Sequence, residues 1–293
     1  LVSANADVAA NTAKEPGIAN LADYLTVGSD ILTISGANLM VNSGHADGTT
    51  GGTVNGLGNI IIGYDEDDGD TKTGSHNLVV GKDHTYSSYG GIVVGLNNSI
   101  TGSYSSVSGG QANTASGTLS SISGGQDNTA SGELSSISAG FSNTADSHYS
   151  SVSGGTQNTA SGTYSSVSGG ISNSASATNS SVSGGAANAA SADYSSVSGG
   201  AFNTASGDYS SVSGGSSNIA SVEYSSVSGG TQNTASGFGS SISGGANNTA
   251  SGERSSVSGG VGNTAIGEIS SVSGGNTNTA SGDYSSVSGG GYN

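Results

Sequence analysis

From residue 103 to residue 293 a Val or Ile falls at every fifteenth position, from Val107, Ile122 and Ile137 through to Val287, without a slip. A typical copy reads YSSVSGGxxNTASGx, there are thirteen of them, and an Asn follows each aliphatic residue six positions later, from Asn113 to Asn293. A period this strict predicts one supersecondary unit stacked on itself, which is a solenoid. Each copy has two alternating halves, which predicts two short strands per coil separated by Gly-containing turns. Alternation places Ser105, Val107 and Gly109 on one side of the first strand, and Asn113, Ala115 and Gly117 on one side of the second. These sides carry the periodic apolar groups, so they are expected to face each other. The fold class is therefore all-β, a parallel β-solenoid with fifteen-residue coils.

The predicted core is thin, one Val or Ile against one Ala per coil, each aliphatic side chain contributing roughly 1.5–3 kcal/mol on burial. Asn in such a core needs its amide satisfied, and a ladder in which each Asn side chain bonds the next is the expected solution. At about 4.8 Å per strand, thirteen coils make a rod roughly 60 Å long. Four regions follow: a connector or stalk remnant over 1–28, a β cap over 29–58, irregular coils with an acidic loop over 59–103, and the regular roll over 104–293. In the irregular part NIIIG (59–63), HNLVVG (76–81), GIVVG (91–95) and NNSITG (97–102) echo the half-repeat. DILTISGANLMVN (30–42) alternates well and suggests strands capping the roll. The Ala/Asn-rich text ahead of Pro16 reads as a short helix or a frayed connector.

Composition narrows the function classes. The chain has 53 Gly and one Pro among 293 residues, which excludes collagen, and its strict register argues against a disordered linker. Cys is absent, so there is no disulfide framework and no thiolate site. Four Lys+Arg against twenty Asp+Glu give a formal charge of −16, which disfavours a nucleic-acid partner. The longest apolar run, around residues 60–62, is far too short to cross a bilayer as a helix, so no membrane insertion is expected. The start at Leu1 and the stop at Asn293 within a repeat read as a processed chain or a fragment.

The motif SSVSGGxxNTASG resembles the NSVAIGxxSxAxG repeat of trimeric autotransporter adhesin heads of the YadA-like type, over residues 59–293. The resemblance implies a left-handed β-roll, a homotrimer, and a surface-adhesive role outside the cell or on its surface. Val107 and its equivalents match the family's Val, whereas Gly109 stands where the family has Ile. The family's coiled-coil stalk and membrane anchor have no counterpart in the sequence. The text is also similar to the xxNxVxG repeat of grass ice-binding β-rolls, which implies the same kind of fold and an ice- or crystal-binding Thr-x-Ser face.

The outward positions supply the candidate contact residues. Ser106 and Ser108 are Ser in all thirteen copies, represented at mid-roll by Ser196 and Ser198, while the Thr114 column is broken by Ser174, Ala189 and Ile219. The uniform Ser-x-Ser face is either a subunit contact or a consequence of tight strands and recent duplication. A column of mostly large groups, including Tyr104, Tyr164, Tyr194, Tyr209 and Tyr224, is a second interface candidate, with a shielding ladder as the alternative. An acidic series runs beside it: Glu133, Asp193, Asp208, Glu223, Glu253, Glu268 and Asp283. It is expected to be solvated or neutralised by cations.

Chemistry elsewhere is sparse. Asp65, Asp67, Asp68 and Asp70 in the DEDDGD loop supply oxygen ligands in a density suited to calcium, without the full spacing of a calcium-binding loop, so a solvated acidic loop is the other reading. His45, His76, His84 and His148 have no metal-ligand spacing, and no Ser-His-Asp arrangement is legible, so no enzyme is expected. The expected partners are further copies of the chain, as a homotrimer and end to end in a fibre, and a host matrix or other surface.

Overall fold

In the computed structural model the described residues are 25–27, 31–36, 38–44, 54–64, 66 and 69–293. The Ala/Asn-rich text ahead of Pro16, and Asp65, Asp67 and Asp68, lie outside them. The chain divides into two compact units, residues 1–41 and 42–293. In the first, β1 (Leu25–Val27) pairs antiparallel with β2 (Leu32–Ile34). The second is a parallel β-solenoid. No helix among the described residues is long and apolar enough to cross a membrane.

The solenoid opens with β3 (Ile60–Ile62), β4 (Leu78–Lys82), β5 (Thr85–Tyr86), β6 (Ile92–Leu96) and β7 (Ser99–Ile100). Two-residue strands then alternate from β8 (Ser106–Val107) and β9 (Thr114–Ala115) to β31 (Thr279–Ala280) and β32 (Ser286–Val287). They form two parallel sheets, one of 16 strands carrying the Val/Ile column and one of 14 carrying the Ala column. Early coils differ in length: Ile60 pairs with Leu78, Leu78 with Ile92 and Ile92 with Ser106. The fifteen-residue register begins with Ser99 opposite Thr114 on the 14-strand sheet and with Ser106 opposite Ser121 on the 16-strand sheet.

The expected inside and outside are observed. Val107 to Val272, Ala115 to Ala280, and the Ser and Asn columns from Ser105 to Ser270 and from Asn113 to Asn278 are buried. Each coil changes direction at two corner residues in the left-handed region, at Tyr104 and Ala112 and their equivalents. That conformation is disfavoured for an L-residue by roughly 1–2 kcal/mol. Hydrogen bonds hold it: Tyr209 N–H donates back to Asp193 O (2.9 Å) and Phe202 N–H to Ala186 O (2.9 Å). Strand N–H groups run forward instead, Ser196 to Ser210 O (3.0 Å) and Thr204 to Asn218 O (2.8 Å). Every coil is thus tied to both neighbours.

Two expectations about the interior are corrected. Gly109 was expected inward but is only half-buried, because the strand ends at Val107 and the turn begins before alternation can carry on. The constrained glycine is the next one. Gly200 has φ +84, and a Cβ there would collide with the carbonyl of Gly215 and the amide of Asn203. At Gly199 a Cβ would meet nothing within 4 Å. Ala139 already occupies the tolerant column, whereas the Gly110 column is Gly in every copy.

The second correction concerns Asn. The ladder exists, but most rungs join side chain to backbone. Asn203 Oδ1 accepts the N–H of Asn218 (3.0 Å), and its Nδ2 donates to the carbonyls of Gly199 (2.9 Å) and Gly215 (3.0 Å). Direct amide-to-amide contacts occur at the ends, as from Asn128 Nδ2 to Asn113 Oδ1 (3.0 Å) and Asn293 Nδ2 to Asn278 Oδ1 (3.1 Å). From Asn158 to Asn278 the amide donors go to the turn carbonyls on either side, as at Asn158 with Gly154 O and Gly170 O and at Asn278 with Gly274 O and Gly290 O.

Val197, 1% exposed, sits between Val182 and Val212 on neighbouring strands. Val197→Asp should lower stability by several kcal/mol through an unpaired buried charge. Ser196→Thr should change it by no more than about 0.5 kcal/mol. Thermal and denaturant melts distinguish the two, and equal melting of Val197→Asp and parent overturns the inside-outside assignment.

Gly200→Ala should lose roughly 2 kcal/mol or more through collision and backbone strain. Gly199→Ala, one residue away, should stay within about 0.5 kcal/mol of the parent. Hydrogen exchange in the flanking coils would locate the loss.

Candidate functional site

The surface consists of columns, because residues one coil apart stand in register. On the 16-strand sheet Ser196 is half-buried and Ser198 exposed, flanking Val197. Their Cα neighbours along the sheet are the equivalent serines, Ser181 and Ser211 beside Ser196. Among the described residues no side-chain hydrogen bond ties the Ser106 or Ser108 hydroxyls, or those of their equivalents, to the rest of the chain. The Ser105 column is mixed: the buried hydroxyls of Ser120, Ser135, Ser255 and Ser270 have no hydrogen-bond partner, whereas others bond the turn. Ser195 Oγ donates to Ala192 O (2.6 Å) and Ser225 Oγ to Val222 O (2.6 Å), so these serines brace the turn.

The opposite sheet presents Thr114, Thr129, Thr144 and Thr159 in one register. The column passes through Ser174, Ala189 and Ile219, so its hydroxyl array is interrupted.

The Tyr column occupies one corner, and the left-handed backbone turns its side chains outward. Tyr104, Tyr164, Tyr194, Tyr209 and Tyr224 are all about half exposed. Tyr194 and Tyr209 stack with centroids 4.8 Å apart and planes 2° apart, and Tyr209 and Tyr224 at 5.2 Å and 17°. Tyr149 and Tyr164 form a second stack at 4.7 Å and 9°. Tyr104 instead meets Tyr89 edge to face at 5.1 Å, and Tyr224 meets Phe238 in the same way at 5.6 Å. The stacking distance is the strand spacing carried out to the side chains.

The acidic series lies exposed beside this corner. Several carboxylates are held by the preceding coil: Asp193 Oδ1 accepts the N–H of Thr178 (3.0 Å), and Asp208 Oδ1 that of Asp193 (3.2 Å). Asp283 Oδ1 accepts the N–H of Glu268 (3.0 Å). His148 Nε2 lies 3.3 Å from Glu133 Oε2, and Arg254 Nη1 lies 3.7 Å from Glu253 Oε1. Solvation and backbone donors together answer the repulsion along the series.

The Tyr209 hydroxyl titrates above the ordinary tyrosine value. Crowding by its surroundings removes water from it, and Tyr194, Tyr224, Asp208 and Glu223 each oppose a negative charge there.

Of the calcium candidates only Asp70 is described. It is half-buried, and its Oδ1 accepts a hydrogen bond from Thr85 Oγ1 (3.1 Å). Among the described residues no three His, Cys, Asp or Glu side chains gather as a metal cluster. His84, one of the scattered histidines, is buried and holds a specific position: its Nδ1 accepts the N–H of Asn98 (3.2 Å), and its Nε2–H donates to Val80 O (3.1 Å). It is the first rung of the Asn ladder. The signal was available, since His84-Thr85-Tyr86 stands one short coil ahead of Asn98-Ser99-Ile100.

No protein-family model matches the chain, and no curated protein matches its sequence. Its surfaces have to be understood from their own chemistry.

The titration of Tyr209 has a consequence for stability. A folded-state value above the unfolded one means that the folded chain holds its proton longer, so stability falls as pH rises from the ordinary tyrosine value through the raised one. Alkaline melts should show this decline in the parent and less of it in Tyr209→Phe, which keeps the ring and removes the hydroxyl. Identical declines in the two chains would rule out the stacked column as its source.

Proposed function

We propose that the chain is a stiff structural segment of an extracellular or cell-surface fibre that associates with further copies through its Ser-x-Ser face and makes repeated weak contacts with a host matrix or other surface. A β-solenoid repeat fits a structural repeat segment. Coil-to-coil hydrogen bonds, the Val ladder and the Asn ladder make it a continuous rod.

The observation that carries the lateral contact is the unbroken Ser106 and Ser108 columns, whose hydroxyls make no side-chain bond within the described chain. Small side chains at about 4.8 Å spacing let two sheets approach closely with little loss of side-chain entropy. The trimer is the stoichiometry that the adhesin-head resemblance implies. Surface attachment in such a fibre is multivalent, since each coil offers nearly the same groups and linked weak contacts multiply into avidity.

A second reading is favoured by one observation. Thr114, Thr129, Thr144 and Thr159 stand in register, which is the ordered hydroxyl array an ice- or crystal-binding face requires. The interruptions at Ala189 and Ile219 weaken it.

Sedimentation tests the fibre reading. The parent should run as an oligomer, with three copies expected, and the double variant Ser196→Arg, Ser198→Arg should shift toward monomer while keeping its β-sheet circular dichroism. A monomeric parent at micromolar concentration overturns the lateral contact. Thermal hysteresis of that monomer would then support the ice-binding reading.

A further inference from the structure

We infer that the two stacked tyrosine ladders, Tyr149–Tyr164 and Tyr194–Tyr209–Tyr224, are sites of oxidative coupling that join neighbouring coils of one chain by dityrosine bonds. The inference rests on ring geometry and does not depend on the fibre reading.

Coupling needs two phenol rings with adjacent ortho carbons, access for an oxidant, and freedom to close the remaining gap. Near-parallel rings stacked at the coil spacing bring the edge carbons of one phenol close to those of the next. The centroids are 4.7 Å apart in the first ladder and 4.8 and 5.2 Å apart in the second, with planes within 17°. The rings are exposed, Tyr209 by 49% and Tyr164 by 55%, so oxidant can reach them and the rings can tilt about Cβ–Cγ until their edges meet. The backbone holds the pair in place meanwhile, since both residues sit at corners bonded to the preceding coil: Tyr209 N–H to Asp193 O at 2.9 Å, and Tyr224 N–H to Asp208 O at 2.9 Å. Pre-positioning of this kind turns a two-body reaction into an intramolecular one.

The oxidant is hydrogen peroxide used by a peroxidase-type catalyst. Each phenol loses one electron and one proton and becomes a phenoxyl radical. The two radicals share their unpaired electrons in a new ortho-carbon to ortho-carbon bond. Each ring then transfers its ortho hydrogen, as a proton, to its own oxygen and is a phenol again. Two hydrogens leave the protein in all, and one hydrogen peroxide becomes two waters. Tyr89 and Tyr104 meet edge to face at 83°, which points an edge of one ring at the face of the other rather than at its edge, so this pair should couple poorly.

Folded protein is treated with peroxidase and hydrogen peroxide across a wide dilution series. Dityrosine fluorescence, intact mass and peptide mapping are read. The expected result is a loss of two hydrogen masses per bond, at a yield per chain independent of protein concentration. The bonds should map to 149–164, 194–209 and 209–224, and thermal melting should shift upward. Tyr209→Phe keeps the stack and should abolish the bonds of the second ladder while leaving 149–164 intact. Four results overturn the inference: no bond, bonds only between chains, bonds favouring Tyr89–Tyr104 or unstacked tyrosines, or an equal yield from the denatured chain.

Discussion

The turn that joins the two sheets depends on one set of contacts, repeated in each regular coil. An Asn side chain fills the turn and serves three backbone groups, as Asn203 does with Gly199 O, Gly215 O and Asn218 N–H. Removal of those bonds would leave buried donors and acceptors unpaired, at about 1–3 kcal/mol each. The glycine three residues before the Asn is its necessary companion. A side chain at Gly200 would occupy the space in which the Asn203 amide and the Gly215 carbonyl meet. With the turn closed, two-residue strands suffice, because each coil adds one Val or Ile and one Ala to ladders that continue through the roll.

The sequence revealed much of this because the constraints are periodic. Val107 and its equivalents, Asn113 and its equivalents, and the alternation around them specify two parallel sheets with a shared thin core. Two features escaped. Alternation points Gly109 inward, although a two-residue strand is already turning there; Ala139 among the Gly109 equivalents hints that the constrained position is Gly110, and the torsion and the collision of a Cβ there give the reason. His84 has no metal-ligand spacing, yet its ring nitrogens meet the requirement that Asn meets elsewhere: one accepts a backbone N–H and the other donates to a carbonyl. The position of His84 one short coil ahead of Asn98 is legible, but the chemical equivalence of imidazole and amide in a buried turn is not written as a repeat of letters.

The candidate surfaces were legible as columns and illegible as geometry. A run of Tyr at fifteen-residue spacing could be read, but whether neighbours stack or meet edge to face could not. That depends on what occupies the corner one coil away. Tyr194, Tyr209 and Tyr224 follow one another and stack, while the stack ends at Gly239, where Tyr224 meets Phe238 edge to face. The acidic series likewise repels on paper, and its backbone donors from the preceding coil become visible only in the fold.

How far each column varies can be set against the constraint that acts on it. The Gly110 column does not vary, and a Cβ has no room there. The Asn113 column does not vary, and three backbone groups depend on it. The corner at 112 accepts Ala112, Asp127, Ser142, Gln157 and Phe202, since its backbone bond holds the conformation whatever the side chain. This drift shows that the copies have had opportunity to diverge, which counts against recent duplication as the reason for uniformity elsewhere. Ser106 and Ser108 are as uniform as the constrained glycine, yet neither hydroxyl is bonded to the described chain, and Ser108 is exposed. Ser suits a pleated strand no better than Thr, which the opposite sheet uses freely. Nothing described within one chain accounts for the uniformity of this face, and that is the observation on which the proposed lateral contact rests.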